Sequence, residues 1–197
     1  MERIKAVKEF RLASTRGATR ALAETSWLFA EIRQPTGNYI IFPRTSSESR
    51  SYVPLGFMSP DVIPSDAISI IPDATLYHFG VLTSRFHMAW MRATAGRLKS
   101  DYRYSNTVVY NNFVWPGVND KQRAKIEATA QKILDARAKY PESSFASLYN
   151  DDLMPPELKK AHKDNDAAVC EAYGFAKNIS EEEIVSALMR LYVNMIK

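Results

Sequence analysis

Residues 96–117 read GRLKSDYRYSNTVVYNNFVWPG, and the placement of this stretch decides the architecture on either side of it. Arg97, Lys99, Asp101 and Arg103 fall on alternate positions, with Tyr102 and Tyr104 set between and after them. An extended chain turns successive side chains to opposite faces. A strand over 97–104 therefore predicts a face carrying Arg97, Lys99, Asp101 and Arg103, with Tyr102 and Tyr104 turned the other way, toward a core. The run TVVYNNFV predicts a further strand, stopped at Trp115-Pro116-Gly117, where proline and glycine interrupt regular structure. That stop divides the chain into a mixed part before it and a helical part after it.

Upstream, residues 73–96 carry Phe79, Leu82, Phe86, Ala89 or Trp90, and Ala93 as an apolar stripe, which predicts one helix with Gly96 as its stop. Between 27 and 71 lie four short runs, WLFAEI, NYIIFP, SYVPLGF and AISII, separated by Pro, Gly, Asn and Ser. They predict strands, and Pro54 places the third at an edge or a bulge. Residues 3–23 predict a helix on which Arg16 and Arg20 lie one turn apart.

Downstream, residues 120–139 predict a helix. A second opens at Pro155-Pro156, where proline suits the first turn, and stops near Gly174. The third opens with a capping box, Ser180 with Glu183, followed by Ile184, Leu188, Leu191, Tyr192 and Met195 as its apolar face. The fold class is therefore α+β: a mixed or antiparallel sheet with flanking helices over 1–117, then a small α-helical bundle over 118–197.

The chain has 197 residues, 46% of them hydrophobic and 24% charged, an ordinary globular composition. No apolar run approaches the ~20 residues of a membrane span. The first 26 residues are charged throughout, without the apolar centre of a signal peptide. Cys170 is alone, so neither an internal disulfide nor a Cys-based metal site is expected. A cytoplasmic protein with no membrane partner is the expectation. Residues 1–118 carry 14 Lys/Arg against 9 Asp/Glu, and residues 119–197 carry 12 against 13. A basic first part suits a polyanion-binding module, and plain solubility charge accounts for the same numbers.

Signatures of catalysis are missing: no G-x-x-x-x-G-K, G-x-G-x-x-G or G-x-S-x-G occurs. His78, His87 and His162 lack metal-ligand spacing, and the first two are expected as structural residues on an amphipathic helix. Glu157-Leu158-Lys159, with Pro-Asp pairs at 60–61 and 72–73 upstream, is similar to a metal-dependent nuclease pattern. That chemistry needs Glu and Lys on one face of a strand. Here they follow two prolines at a helix start, where an acid is favoured by the dipole.

The stretch 97–104 points elsewhere. Lysine or arginine donates to guanine O6/N7 and aspartate accepts from cytosine N4, so Lys99 with Asp101 suits one G·C pair; a surface strand with cross-strand ion pairs is the plainer alternative. Arg44, in PRTSSESRS, and Asp66, in the turn PSDA, fit either the same face or ordinary loop chemistry. Arg16, Arg20, Arg50 and Arg97 are candidates for phosphate contacts.

Two long strings, LYHFGVLTSRFHMAWMRATAGRLKSDYRYSNTVVYNNFVWP and ILDARAKYPESSFASLYNDDLMPPELKKAHKDNDAAVCEAYGF, resemble the C-terminal third of MmeI-like enzymes. These are type II restriction–modification proteins that methylate adenine N6. The resemblance covers nearly the whole chain, with 1–117 similar to the family's target recognition domain and 118–197 to its C-terminal helical domain. It implies a sequence-specific reader of double-stranded DNA working in the major groove, attached to a methyltransferase domain of the same polypeptide. It also implies S-adenosylmethionine and Mg²⁺ for the intact enzyme and no cofactor in this chain. The family's glycine-rich cofactor loop and Asn-Pro-Pro-Tyr motif are not present, since Asn111-Asn112-Phe113 lacks both prolines. The chain is therefore expected to be a recognition fragment without a catalytic centre of its own. By position in the matching segments, the implied base readers are Lys99 with Asp101, Arg44 with Asp66, and the neighbouring Ala67 and Arg103. Two other classes remain: a non-catalytic module docking an acidic protein, and a nuclease built on Glu157 and Lys159.

Overall fold

The computed structural model describes residues 1–197 as two compact units, Met1–Gln34 and Pro35–Lys197. In the first, helix α1 (Glu2–Leu12) buries no residue, and a short helix α2 (Gly17–Ala21) leads into a 3₁₀ turn at Leu22–Thr25. Arg11 organises this unit: its guanidinium donates to the carbonyls of Leu22 (2.7 Å), Thr25 (3.0 Å) and Leu28 (2.9 Å). The single helix expected over 3–23 is interrupted at Ala13–Arg16. Ser14 Oγ there accepts the Arg16 amide at 3.2 Å, an alternative that serine offers the backbone in place of a helical bond. The run at 27–32 is not a strand: its residues find no pairing partner and are exposed.

In the second unit, β1 (Tyr39–Pro43) is the centre of an antiparallel sheet, flanked by β3 (Gly56–Met58) and β4 (Ile68–Pro72). Tyr39 pairs with both Met58 and Pro72. The Pro54 run thus ends as the expected edge strand. A second antiparallel sheet has the order β2-β6-β5, from β2 (Thr45–Ser46), β6 (Asp101–Arg103) and β5 (Gly96–Leu98).

The helix expected over 73–96 is two helices, α3 (Leu76–Leu82) and α4 (Arg85–Thr94), broken at Thr83-Ser84. Gly96 does not stop it; Ala95 is already extended and Gly96 opens β5. TVVYNNFV is likewise not a strand. Asn106–Tyr110 form a π-helical turn, with buried Val109 accepting Trp90 Nε1 at 2.9 Å. Asn112 Nδ2 donates to the Thr107 and Val108 carbonyls at 3.0 Å each. Tertiary bonds outweigh the β propensity of the two valines.

The helical part comprises α5 (Asp120–Ala138), the single turn α6 (Phe145–Leu148), α7 (Pro156–Tyr173) and α8 (Glu181–Met195). Its termini follow local chemistry. Asn119 with Gln122 and Ser180 with Glu183 are reciprocal capping boxes, and α7 ends at Gly174 with φ +70°. One core joins residues on both sides of residue 117: Phe79, Leu82, Phe86 and Trp90 pack with Ile126, Ile133, Leu158, Val169 and Leu188.

Close approach governs where α3 meets α5 and α7. A Cβ on Gly80 would stand 2.7 Å from Ile126 Cγ2, 3.0 Å from Asn165 Oδ1 and 3.2 Å from Ala130 Cβ. The Gly80 carbonyl accepts Asn165 Nδ2 at 2.7 Å. Gly80→Ala is expected to destabilise the fold by about 1–3 kcal/mol through overpacking, read as a lower urea midpoint at unchanged slope.

His87 and His162 are fully buried. Burial pushes each down to about 3, with Arg137 adding to the effect at His162. Both folded values lie below the unfolded one, so the stability they permit is present above about pH 6.5 and is lost as pH falls toward 3. Asp166, raised to about 6 by burial, acts in the opposite sense between its unfolded and folded values. His87→Phe keeps a ring against Phe113, whose centroid lies 4.5 Å from the imidazole. This variant is expected to reduce the rise of unfolding free energy with pH by ~1.4 kcal/mol per unit between about pH 4 and 6. Urea titrations at stepped pH test this, and an unchanged slope would place the proton uptake elsewhere.

Candidate nucleic-acid interface

The two sheets of the larger unit meet at one residue. The Arg44 amide donates to the Ala67 carbonyl at 2.9 Å, prolonging the pairing of β1 with β4. The Arg44 carbonyl accepts the Tyr104 amide at 2.8 Å, prolonging the pairing of β2 with β6. Its side chain adds a third tie, Nη1 donating to the Asp66 carbonyl at 2.9 Å. Arg44 is thus the corner at which the strand passes from one sheet to the other, and it brings the Asp66-Ala67 turn beside the strand that ends at Arg103.

Before Arg103 the chain is a hairpin, not the uninterrupted strand expected over 97–104. Gly96 pairs with Arg103, Arg97 with Tyr102 and Leu98 with Asp101, leaving Lys99-Ser100 as a two-residue turn. Lys99 has φ +56°, in keeping with the positive φ that tight hairpins require at the first turn position. Cross-strand partners share a face. Asp101 and Arg103 therefore lie with Gly96 and Leu98, and Arg97 lies with Tyr102. The alternation read from sequence fails at Arg97 because the turn reverses the chain.

Arg97 is engaged internally: its guanidinium carbon is 3.8 Å from the Tyr102 ring centroid, and Nη1 donates to the Ser100 carbonyl at 2.7 Å and pairs with Glu48 at 3.3 Å. Lys99, Arg103, Arg44, Asp66 and Ala67 are exposed, and Asp101 is half-buried. Arg50 is partly buried in the loop after β2, its carbonyl accepting Arg92 Nη2 at 3.5 Å. Arg16 and Arg20 belong to the first unit, where Arg20 Nη1 donates to the carbonyls of Ser14 and Thr15 at 2.9 Å each.

A cleft of about 710 Å³ opens between Arg44 and Arg103. Ser69, Thr94 and the Ser105-Asn106-Thr107 segment complete its polar lining. Tyr104 also lines it, buried, with its hydroxyl 3.0 Å from His87 Nε2 and its ring centroid 4.0 Å from that of Phe42. Burial holds the phenol well above its ordinary range and the imidazole at about 3, so both are neutral and the charge sits on the rim. Ser105 and Asn106 fall between the two strands expected from sequence and Thr107 at the start of the second, so none of the three was read as a site residue. Their one sequence mark is a run of three small polar side chains directly after Tyr104.

Arg44 and Arg103 put cations on the lining, beside the Asn106 amide, while Asp66 lies next to Arg44 and Lys99 and Asp101 lie along the hairpin that ends at Arg103. Donors and acceptors side by side suit a target whose edge carries both, as base pairs do. The nuclease pattern is not assembled: Glu157, in the first turn of α7, accepts the Tyr140 hydroxyl at 2.7 Å, which holds its carboxyl below the usual range. No group of three or more His, Cys, Asp or Glu side chains is placed to hold a metal ion. No helix is long and apolar enough to cross a membrane.

Comparison with known proteins gives the family. Residues 1–117 match the family model described as the MmeI target recognition domain, and residues 118–197 match the MmeI C-terminal domain. A relative, DNA methyltransferase A of Bacillus subtilis (strain 168), is 42% identical over 194 residues, covering 98% of this chain and 22% of the relative. A solved structure of the type IIL restriction–modification enzyme MmeI in complex with DNA is 45% identical, with a TM-score of 0.91, and matches 99% of this chain and 26% of its own. The chain thus spans about a quarter of the length of these relatives.

The hairpin turn carries a test of what Lys99 is for. A non-glycine residue in the left-handed region costs ~1–2 kcal/mol, partly offset by the entropy glycine loses on folding. Lys99→Gly is therefore expected to stabilise the chain by about 0.5–1 kcal/mol in urea unfolding. A loss of stability instead would mean that the lysine side chain itself holds the turn.

Proposed function

The chain belongs to the MmeI family, as a target recognition domain followed by a C-terminal domain, and from that premise we propose that it is the sequence-reading part of a longer methyltransferase-type restriction–modification enzyme. Its partner is double-stranded DNA, entered from the major groove. The rest of the enzyme, in the cytoplasm, supplies adenine-N6 methylation with S-adenosylmethionine and cleavage with Mg²⁺. No residue of this chain is assigned to either step.

The observation that carries the proposal is the corner at Arg44. One residue's backbone and side chain tie the Asp66-Ala67 turn to Tyr104, and that residue lines a single cleft together with Arg103 and Tyr104. Lys99 stands at the tip of the adjoining hairpin, with Asp101 closing its turn. In this reading Lys99 with Asp101 addresses one G·C pair, Arg44 with Asp66 addresses another, and Ala67 and Arg103 shape the contact between them. The Asp66 carbonyl takes one Arg44 N–H, and the remaining guanidinium donors supply the base contact. Arg50 is kept as a phosphate contact, as are Arg16 and Arg20 in the first unit. Arg97, stacked and ion-paired, reaches phosphate only by giving up Glu48.

Exchanging the charges, Lys99→Glu with Asp101→Arg, tests the reading through sequencing of duplexes selected by the variant. The expected result is a changed preference at one base pair, with discrimination of ~1–3 kcal/mol retained at the others. A uniform loss across all sequences would make the pair phosphate-binding or structural.

A further inference from the structure

A second cavity lies away from the reading cleft. It has a volume of about 320 Å³ and is lined by Arg85, Phe86, Lys163, Asp166, Cys170 and Lys177, among others. Three elements bring its cations together: Arg85 is the first residue of α4, Lys163 lies on α7, and Lys177 sits in the loop between α7 and α8. None of the three is ion-paired with a carboxylate, although pairs occur close by at Arg92–Glu181 and Lys160–Asp164.

The acid inside the cavity is already engaged. Asp166 is buried, its Oδ1 accepting the Arg85 amide at 2.8 Å and its Oδ2 the Tyr52 hydroxyl at 2.6 Å. Glu171, which lies near Lys177, is ion-paired with Lys125. Arg85 is half-buried and held in place, Nη2 donating to the Ile179 carbonyl and the guanidinium carbon lying 5.7 Å from the Phe86 ring centroid. Two exposed ammonium groups thus share a largely apolar cavity with an anchored guanidinium.

We propose that this cavity is a binding site for a phosphate-class anion, with Arg85 as its floor and Lys163 and Lys177 closing over the bound oxygens. A guanidinium supplies directional paired donors and ammonium groups supply adaptable point charges, a combination suited to a tetrahedral oxyanion. The local charge is invisible in composition, because residues 119–197 hold 12 Lys/Arg against 13 Asp/Glu. The site stands apart from the base-reading face, so its failure leaves that reading intact.

The test is thermal unfolding of the full chain in sodium phosphate against sodium chloride of equal ionic strength. The Lys163→Gln/Lys177→Gln double variant, changed at two exposed positions, is measured beside it. A rise in Tm of roughly 3–6 °C is expected for the unaltered chain at ten times the dissociation constant. That rise is lost in the double variant, whose Tm in chloride is unchanged. No rise in the unaltered chain, or an equal rise in both proteins, overturns the proposal. Fluorescence anisotropy with a labelled random duplex then identifies the source of the anion. If the double variant weakens binding to all duplexes alike and makes the salt dependence shallower by about one unit of slope, the group is a DNA phosphate. If duplex binding is unchanged while the phosphate-dependent rise is lost, the ligand is a free phosphate.

Discussion

Arg137, on α5, is buried with no carboxylate beside it. Removing a guanidinium from water costs on the order of several kcal/mol unless its donors are satisfied, and here neutral groups meet that demand. Nε donates to the Tyr149 hydroxyl at 2.7 Å, and Nη1 donates to the Leu55 carbonyl. The rings of Phe79, Tyr149 and Phe145 lie 4.8–5.2 Å from the guanidinium carbon. The chain of contacts continues through Tyr149 to His162 Nε2 at 2.9 Å. Tyr52 stacks on His162 with centroids 4.1 Å apart, and its hydroxyl reaches Asp166, which caps the Arg85 amide. The Arg137–Leu55, Tyr52–His162, Tyr52–Asp166 and Arg85–Asp166 contacts each join residues on the two sides of residue 117.

This buried network reaches the Arg44 cleft through the first sheet. Leu55 immediately precedes β3, the edge partner of β1, and a Cβ on Gly56 would stand 2.9 Å from the Phe145 ring. The helical part therefore presses against one edge of the sheet whose central strand runs on to Arg44. On the far side, Tyr104 closes the lining with its hydroxyl on His87 from α4. A loop-borne set of polar side chains is held by a hydrogen-bonded corner and a neutral aromatic base. Such support limits the freedom of the rim without adding charge to it.

The sequence was legible at the caps, stops and edges that near neighbours along the chain settle. Ser180 with Glu183 caps α8, Gly174 adopts the left-handed conformation that ends α7, and Pro54 keeps its run at a sheet edge. Two expected elements failed where the chain reverses or a distant partner intervenes. The charged alternation at 97–103 was real, yet a turn at Lys99-Ser100 put Arg97 on the face of Tyr102. The valines of TVVYNNFV favoured a strand, and the Trp90 indole together with the Asn112 amide drew them into a π-helical turn. The cleft's Ser105-Asn106 pair lay between the two expected strands, with Thr107 at the start of the second.

The amino-acid order alone determined the α+β class, the helix ends after residue 117 and the family, because caps, prolines and long ordered strings act through near neighbours. Only the tertiary structure decided that Arg44 is the corner of two sheets and that Asp66 and Arg103 meet beside it, since both depend on backbone bonds between segments 23 and 60 residues apart. It likewise decided that Arg85, Lys163 and Lys177 share one cavity. Charges scattered along a chain of modest net charge share a cavity only when folding brings their distant segments together.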